Sequence, residues 1–183
     1  MSETVIHEIE PVWNEKSRVL ILGTLPSPSS RERGFFYMHA QNRFWKTVFS
    51  VFGEELKISG PMLKNCTENS KIDAIKERKD FLIRHNLALW DVLQKCDIDG
   101  ASDSSIKNAV PNDFTEIFER ADIKKVFCTG KTAFRFWKKF CAAHYEKKYA
   151  VSAACLPSTS PANAACSLEK LIEAYKVLLN YTD

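Results

Sequence analysis

The chain of 183 residues lacks the sequence marks of the common enzyme classes. It has no Cys-x-x-Cys pair; its cysteines stand singly as Cys66, Cys96, Cys128, Cys141, Cys155 and Cys166. Several lie inside apolar runs, where a thiol behaves as a small hydrophobe. That spacing argues against zinc and iron–sulfur sites and for reduced thiols in a cytoplasmic compartment. No apolar run approaches the length of a membrane span, which excludes a membrane protein of the helical kind. Met1 to Glu10 are polar and acidic, unlike a secretory signal. There is no Gly-x-Gly-x-x-Gly for a dinucleotide and no nucleophile elbow for a serine hydrolase. Gly130-Lys131-Thr132 imitates the end of a phosphate loop, but Lys125 stands where that motif needs its first glycine. It is therefore read as a strand-to-helix turn. Without repeats, low-complexity tracts or an obvious linker, residues 1–183 are expected to form one domain.

Hydrophobic residues make up 45% of the chain and aromatics 11%, enough for a real core at this size. The net charge of +3 permits a nucleic-acid partner without requiring one. Lys138, Lys139, Lys147 and Lys148 are read as a solvated basic face.

Short apolar runs mark strands. Val19-Leu20-Ile21-Leu22, closed by Gly23, suits a strand buried on both faces. Leu87–Trp90, Val126–Thr129 and Tyr149–Cys155 follow the same pattern. Helical stripes lie between and after them. They comprise Phe44, Trp45, Val48, Phe49 and Phe52, then Phe114, Ile117, Phe118 and Ala121, then Ala133, Phe134, Trp137, Phe140 and Cys141. Asp113-x-x-Glu116 resembles a capping box ahead of the second stripe. Leu168, Leu171, Ile172, Tyr175, Leu178 and Leu179 form a fourth stripe behind Ser167 as N-cap. Gly60–Arg84 is polar at first and is expected to be a surface excursion leading into a helix. Strands alternating with helices predict a three-layer α/β/α sandwich with a central, mainly parallel four-stranded sheet.

Two polar loops stand out because each follows a strand-like run and precedes a helix. The first is Gly23-Thr24-Leu25-Pro26-Ser27-Pro28-Ser29-Ser30, leading through Phe35-Phe36-Tyr37-Met38-His39-Ala40-Gln41-Asn42 to Arg43-Phe44-Trp45. The second is Leu156-Pro157-Ser158-Thr159-Ser160-Pro161-Ala162-Asn163. Ligands of open α/β sheets sit beyond the carboxyl ends of the strands, so both loops are expected to face one pocket. Gly34 allows a tight approach of the backbone, and Phe35, Phe36 and Tyr37 either cover the core or offer a stacking surface. His39, Gln41 and Asn42 form either a recognition cluster or, through Asn42, a helix cap.

With those motifs in order, the chain resembles the uracil-DNA glycosylase superfamily, nearest its hypoxanthine-DNA (DNA-deoxyinosine) glycosylase branch. His39-x-x-Asn42-Arg43-Phe44-Trp45-Lys46 is also similar to the mismatch-specific uracil-DNA glycosylases. Trp90-Asp91-Val92-Leu93 and Pro111-Asn112-Asp113-Phe114 fall in that group's order. The resemblance implies a monofunctional hydrolase, monomeric and free of cofactor or metal, that flips a deaminated base out of DNA and cuts its N-glycosidic bond. It departs from the superfamily at Leu25, where an Asp or Asn commonly orients water. That departure argues against the most efficient uracil-specific class and keeps open a noncatalytic nucleic-acid-binding module on the same fold; a uracil or mismatch-specific glycosylase is the alternative enzyme. The resemblance places catalysis on Asn42, the base against Gly23, Thr24, Leu25, Pro26, Tyr37 and His39, and the DNA against Ser27, Ser158, Thr159, Ser160, Pro161 and Asn163.

Overall fold

The structure is a computed structural model and describes residues 2–58, 67–100 and 103–183. The start of the expected excursion, and Cys66 within it, lie outside the described residues.

Four parallel strands form the central sheet: β2 (Val19–Gly23), β3 (Leu87–Asp91), β6 (Lys125–Thr129) and β7 (Ala153–Leu156). Their order is β3-β2-β6-β7. The two inner strands are the apolar runs, because a strand covered by helices on both sides has no face on which to place polar groups. Alternation along β2 divides the core. Val19 and Ile21 join one cluster with Phe44, Phe49, Phe81, Leu171 and Tyr175. Leu20 and Leu22 join the other with Phe114, Phe118, Ala133 and Trp137. One face is thus covered by α2 (Phe44–Val51), α3 (Glu68–Arg84) and α7 (Leu168–Tyr175). The other carries α4 (Thr115–Arg120), α5 (Lys131–Phe140) and α6 (Ala142–Lys148). The three-layer sandwich expected from the sequence is present.

A second sheet was not foreseen. Strands β1 (Ser2–Ile6), β4 (Leu93–Asp99) and β5 (Lys107–Pro111) pair antiparallel in the order β1-β4-β5. Leu93–Asp99 alternates only weakly, and β5 has no buried residue, so neither run carries a hydrophobic signal of its own. The strand expected from Tyr149 begins only at Ala153. Tyr149 instead ends α6, and Ala150 follows with φ 52°, a left-handed turn that delays the extended chain.

The capping box also takes a different form. Asp113 Oδ1 accepts from Thr115 N at 2.9 Å and from the Tyr145 hydroxyl at 2.9 Å, while Glu116 pairs with Arg120. Asp113 therefore ties the start of α4 to α6 rather than closing a reciprocal box. These bonds hold its carboxyl below the usual range.

Candidate functional site

The carboxyl ends of β2, β3, β6 and β7 open into one cleft of about 1480 Å³. Thirteen residues singled out from the sequence line it: Gly23, Thr24, Leu25, Pro26, Ser27, Tyr37, His39, Asn42, Ser158, Thr159, Ser160, Pro161 and Asn163. Loops far apart in sequence converge because their strands flank β6 on opposite sides.

The first loop leaves β2 at Gly23, whose carbonyl accepts from Val92 N at 2.9 Å. Ser27 then caps α1 (Pro28–Arg33), accepting from Ser30 N, and Pro28 occupies the first turn, where no amide donor is needed. Gly34 ends this helix at φ 66° with open space around its Cβ position, so it serves the left-handed turn and not a close approach. The close approach is at Gly23. A Cβ there would stand 2.1 Å from Asp91 Oδ1 and 2.8 Å from the Tyr37 hydroxyl. Phe35 and Phe36 belong to the core, each 1% exposed, and Trp45 Nε1 donates to the Phe36 carbonyl at 2.8 Å. Phe36 and Tyr37 both line the cleft, and Tyr37 is held at φ 55°. Its ring stacks on Phe44 with centroids 4.0 Å apart, and its hydroxyl bonds Thr129 Oγ1 at 2.7 Å. Burial, and then the charge of Asp91, push the Tyr37 phenol well above its ordinary pKa, so it stays protonated.

His39 Nδ1 accepts from Gln41 N at 3.2 Å. A neutral His39 therefore carries its proton on Nε2, which makes the ring a donor toward a ligand. Asn42 stands one residue before the cap position of α2, which Arg43 occupies, and its side chain ties the turn there to the second loop. Its Oδ1 accepts from Phe44 N at 2.9 Å, closing the turn into α2, and from the Thr159 hydroxyl at 3.0 Å. A backbone amide can only donate, so the oxygen must face Phe44. Turning the amide over would lose that bond and oppose two N–H groups, at about 1–3 kcal/mol. Asn42 lines the cleft, and its Nδ2 is left as a donor with no hydrogen-bond acceptor among the described residues.

The second loop is held by Arg43. Its Nη2 donates to the Ser160 carbonyl at 2.9 Å and the Asn163 carbonyl at 3.0 Å, its Nη1 to that of Cys166, and its Nε to that of Thr159 at 3.4 Å. A rigid guanidinium fork suits such a convergent set of acceptors. Asn163 Nδ2 closes the loop on the Ser158 carbonyl at 2.8 Å, and the Tyr175 hydroxyl donates to the Pro157 carbonyl at 2.9 Å. Thr159, assigned to DNA contact from the sequence, is only 1% exposed and points inward at Asn42. Leu25 packs against the core cluster beneath the loop and offers the cleft an apolar surface.

Several groups were missed. Asp91 ends β3 at the cleft floor with its side chain 5% exposed, and Oδ2 meets His7 Nε2 at 2.9 Å. Ile9 N donates to His7 Nδ1, so a neutral His7 directs its N–H at the carboxylate. Asn112 Nδ2 donates to the Asp91 carbonyl at 2.9 Å, which gives the Pro111-Asn112-Asp113-Phe114 string its role. Gly130, at φ 108°, starts α5 against Ser158. Together with Thr129, Lys131 and Thr132 it brings the end of β6 into the cleft. Among the described residues no group of three or more His, Cys, Asp or Glu is placed to hold a metal ion, and no helix is long and apolar enough to cross a membrane.

An open cleft at strand ends suits a flat polar ring carried on a charged backbone, with donors on its wall, an aromatic at its side and lysines at its rim. The comparisons with known proteins agree. Residues 11–181 match the model of the uracil DNA glycosylase superfamily. A Methanosarcina acetivorans protein named hypoxanthine DNA glycosylase is 30% identical over 154 residues, covering 83% of this chain and 84% of its own. A protein of that name from Methanosarcina barkeri is 29% identical over 143 residues, covering 78% and 82%. The solution NMR structure of a candidate uracil DNA glycosylase from M. acetivorans superposes with a TM-score of 0.67 at 23% identity, over 98% of this chain and 99% of that one. The chain belongs to the uracil DNA glycosylase superfamily, and by class it is a DNA glycosylase.

Proposed function

We propose that the protein releases hypoxanthine from deoxyinosine in DNA by hydrolysis, acting as a monomeric, monofunctional glycosylase on residues 1–183 as one domain. The observation that carries this reading is Asn42, a cleft-lining residue whose amide is fixed at Oδ1 and whose Nδ2 is left free to donate. The names of the two Methanosarcina relatives support hypoxanthine as the base. The free thiols of Cys96, Cys128, Cys141, Cys155 and Cys166 are in keeping with a reducing cytoplasm.

In this reading the nucleotide is turned out of the duplex and its base enters beside Tyr37. The C1′–N9 bond lengthens and its electron pair moves onto the purine, leaving an oxocarbenium-like sugar. Nδ2 of Asn42 donates to the base as negative charge accumulates there, and His39 Nε2 is a second donor toward base or phosphate. Water adds its oxygen to C1′ and gives up a proton, and the departing purine anion takes up a proton, directly from that water or through solvent. The products are free hypoxanthine and an abasic site. Leu25 supplies no group to activate the water, so the acceleration rests on stabilising the leaving base. The loop Ser158–Asn163 and Ser27 face the DNA backbone, with the Pro161 edge pressed toward the vacated position. Water is assigned as nucleophile because neither loop contains a lysine; Lys131 and Lys170, which also line the cleft, open helices outside them.

The test is base release from duplexes bearing one deoxyinosine or one deoxyuridine. Hypoxanthine release that falls about 10²–10³-fold in Asn42→Ala is expected, the cost of one preorganised donor. Release of uracil alone would move the substrate, and no release from bound DNA would favour the binding-module reading. Borohydride trapping on abasic DNA is expected to give no covalent adduct; an adduct would replace water by an amine.

A further inference from the structure

We propose that Thr159 is a positioning residue for Asn42, so that seating of the second loop sets the orientation of the amide that works on the base. The proposal rests on the assignment of catalysis to Asn42. Thr159 is 1% exposed and its hydroxyl is spent on Asn42 Oδ1, so its side chain does not meet DNA. Its own carbonyl accepts from Arg43 N at 3.2 Å and from Arg43 Nε at 3.4 Å. One residue of the second loop is thus held through both of its polar ends by two consecutive residues of the first.

The chemistry of the amide explains why one bond is not enough. Phe44 N decides which end of Asn42 faces the helix, but the terminal torsion of an asparagine is broad, and a single bond leaves the plane free to swing about it. A second donor to the same oxygen, from a direction set 117 residues away, narrows that swing. The donor itself sits on a rigid base. Arg43 grips the loop at four carbonyls, and the Tyr175 hydroxyl anchors the carbonyl of Pro157 just before it. Movement of the loop away from the first loop would therefore release Nδ2 from its aim before it disturbed the core. Contact of DNA with the outer edge of the loop and readiness of the amide become one event.

Thr159→Val keeps the shape and removes the hydroxyl; Thr159→Ser keeps the hydroxyl. Single-turnover release of hypoxanthine is expected to slow about tenfold to a hundredfold in the valine variant, as for a misaligned catalytic group. It is expected to keep the wild-type rate in the serine variant. The dissociation constant for a duplex carrying a stable abasic analogue is expected to be unchanged in both. Asn42→Ala combined with Thr159→Val is expected to be no slower than Asn42→Ala alone, a non-additivity that a general structural role would not produce. Thr159→Ala repeats the comparison should the valine variant not fold. A wild-type rate in the valine and alanine variants, a parallel loss of DNA binding, or additive losses in the double variant would overturn the proposal. If Asn42→Ala itself keeps full activity, the assignment of Asn42 fails first.

Discussion

Gly23→Ala tests whether the floor of the cleft is built as described. The added methyl would stand 2.1 Å from Asp91 Oδ1 and 2.8 Å from the Tyr37 hydroxyl, distances no packed pair tolerates. Neither neighbour is the free end of a long chain. Asp91 is held by His7 with both side chains at or below 5% exposed, and Tyr37 is fixed between Phe44 and Thr129. Overpacking of this kind costs about 1–3 kcal/mol. If Asp91 is pushed off His7, a buried carboxylate loses its hydrogen-bond partner, which costs about a further 1–3 kcal/mol. A loss of at least about 2 kcal/mol is therefore expected. For a domain of this size that lowers Tm by roughly 4–8 °C. Urea denaturation should show the midpoint falling with an unchanged slope. A variant within about 0.5 kcal/mol of wild type, the usual range for an indifferent surface change, would refute the packing of Asp91 and Tyr37 over Gly23.

Two further outcomes follow from the contacts. Arg43→Ala should cost about 2 kcal/mol through loss of charge-assisted bonds to the second loop. It should also raise amide exchange across residues 158–166, measured by hydrogen–deuterium exchange. Glu54→Gln should flatten the acid limb of stability: bonds from Arg84, and after them His85, hold the Glu54 carboxyl below 4.5. A carboxylate depressed in the folded state contributes stability above its unfolded pKa and loses it as pH falls through the folded one. The wild type should therefore weaken more than the variant as the pH drops below about 4.5, as urea midpoints at stepped pH will show.

The parallel sheet was legible because its inner strands are buried on both faces, and a continuous apolar run as short as Val19–Leu22 is satisfied in few settings besides a covered strand. The antiparallel sheet was not, since β5 is exposed and β4 takes its order from pairing with β1 and not from its own pattern. The two loops were legible as polar punctuation after strands. Their functional division was not. Thr159 looks like any polar loop residue in sequence, and only the approach of Arg43 and Asn42 turns it inward. An acid at the end of an apolar strand, in a chain whose first loop lacks one, was a usable signal for Asp91. His7 had none, because its partner lies 84 residues away.

The central claim is that Asn42 acts as a donor through Nδ2. Asn42→Asp tests it most directly, because aspartate can still accept from Phe44 N and the Thr159 hydroxyl but has no N–H to give. Release of hypoxanthine at neutral pH should fall in Asn42→Asp by as much as in Asn42→Ala, about 10²–10³-fold, with DNA binding retained. An aspartate variant as fast as wild type would contradict the account, since the residue would then be working on water through an oxygen and not on the base through its amide.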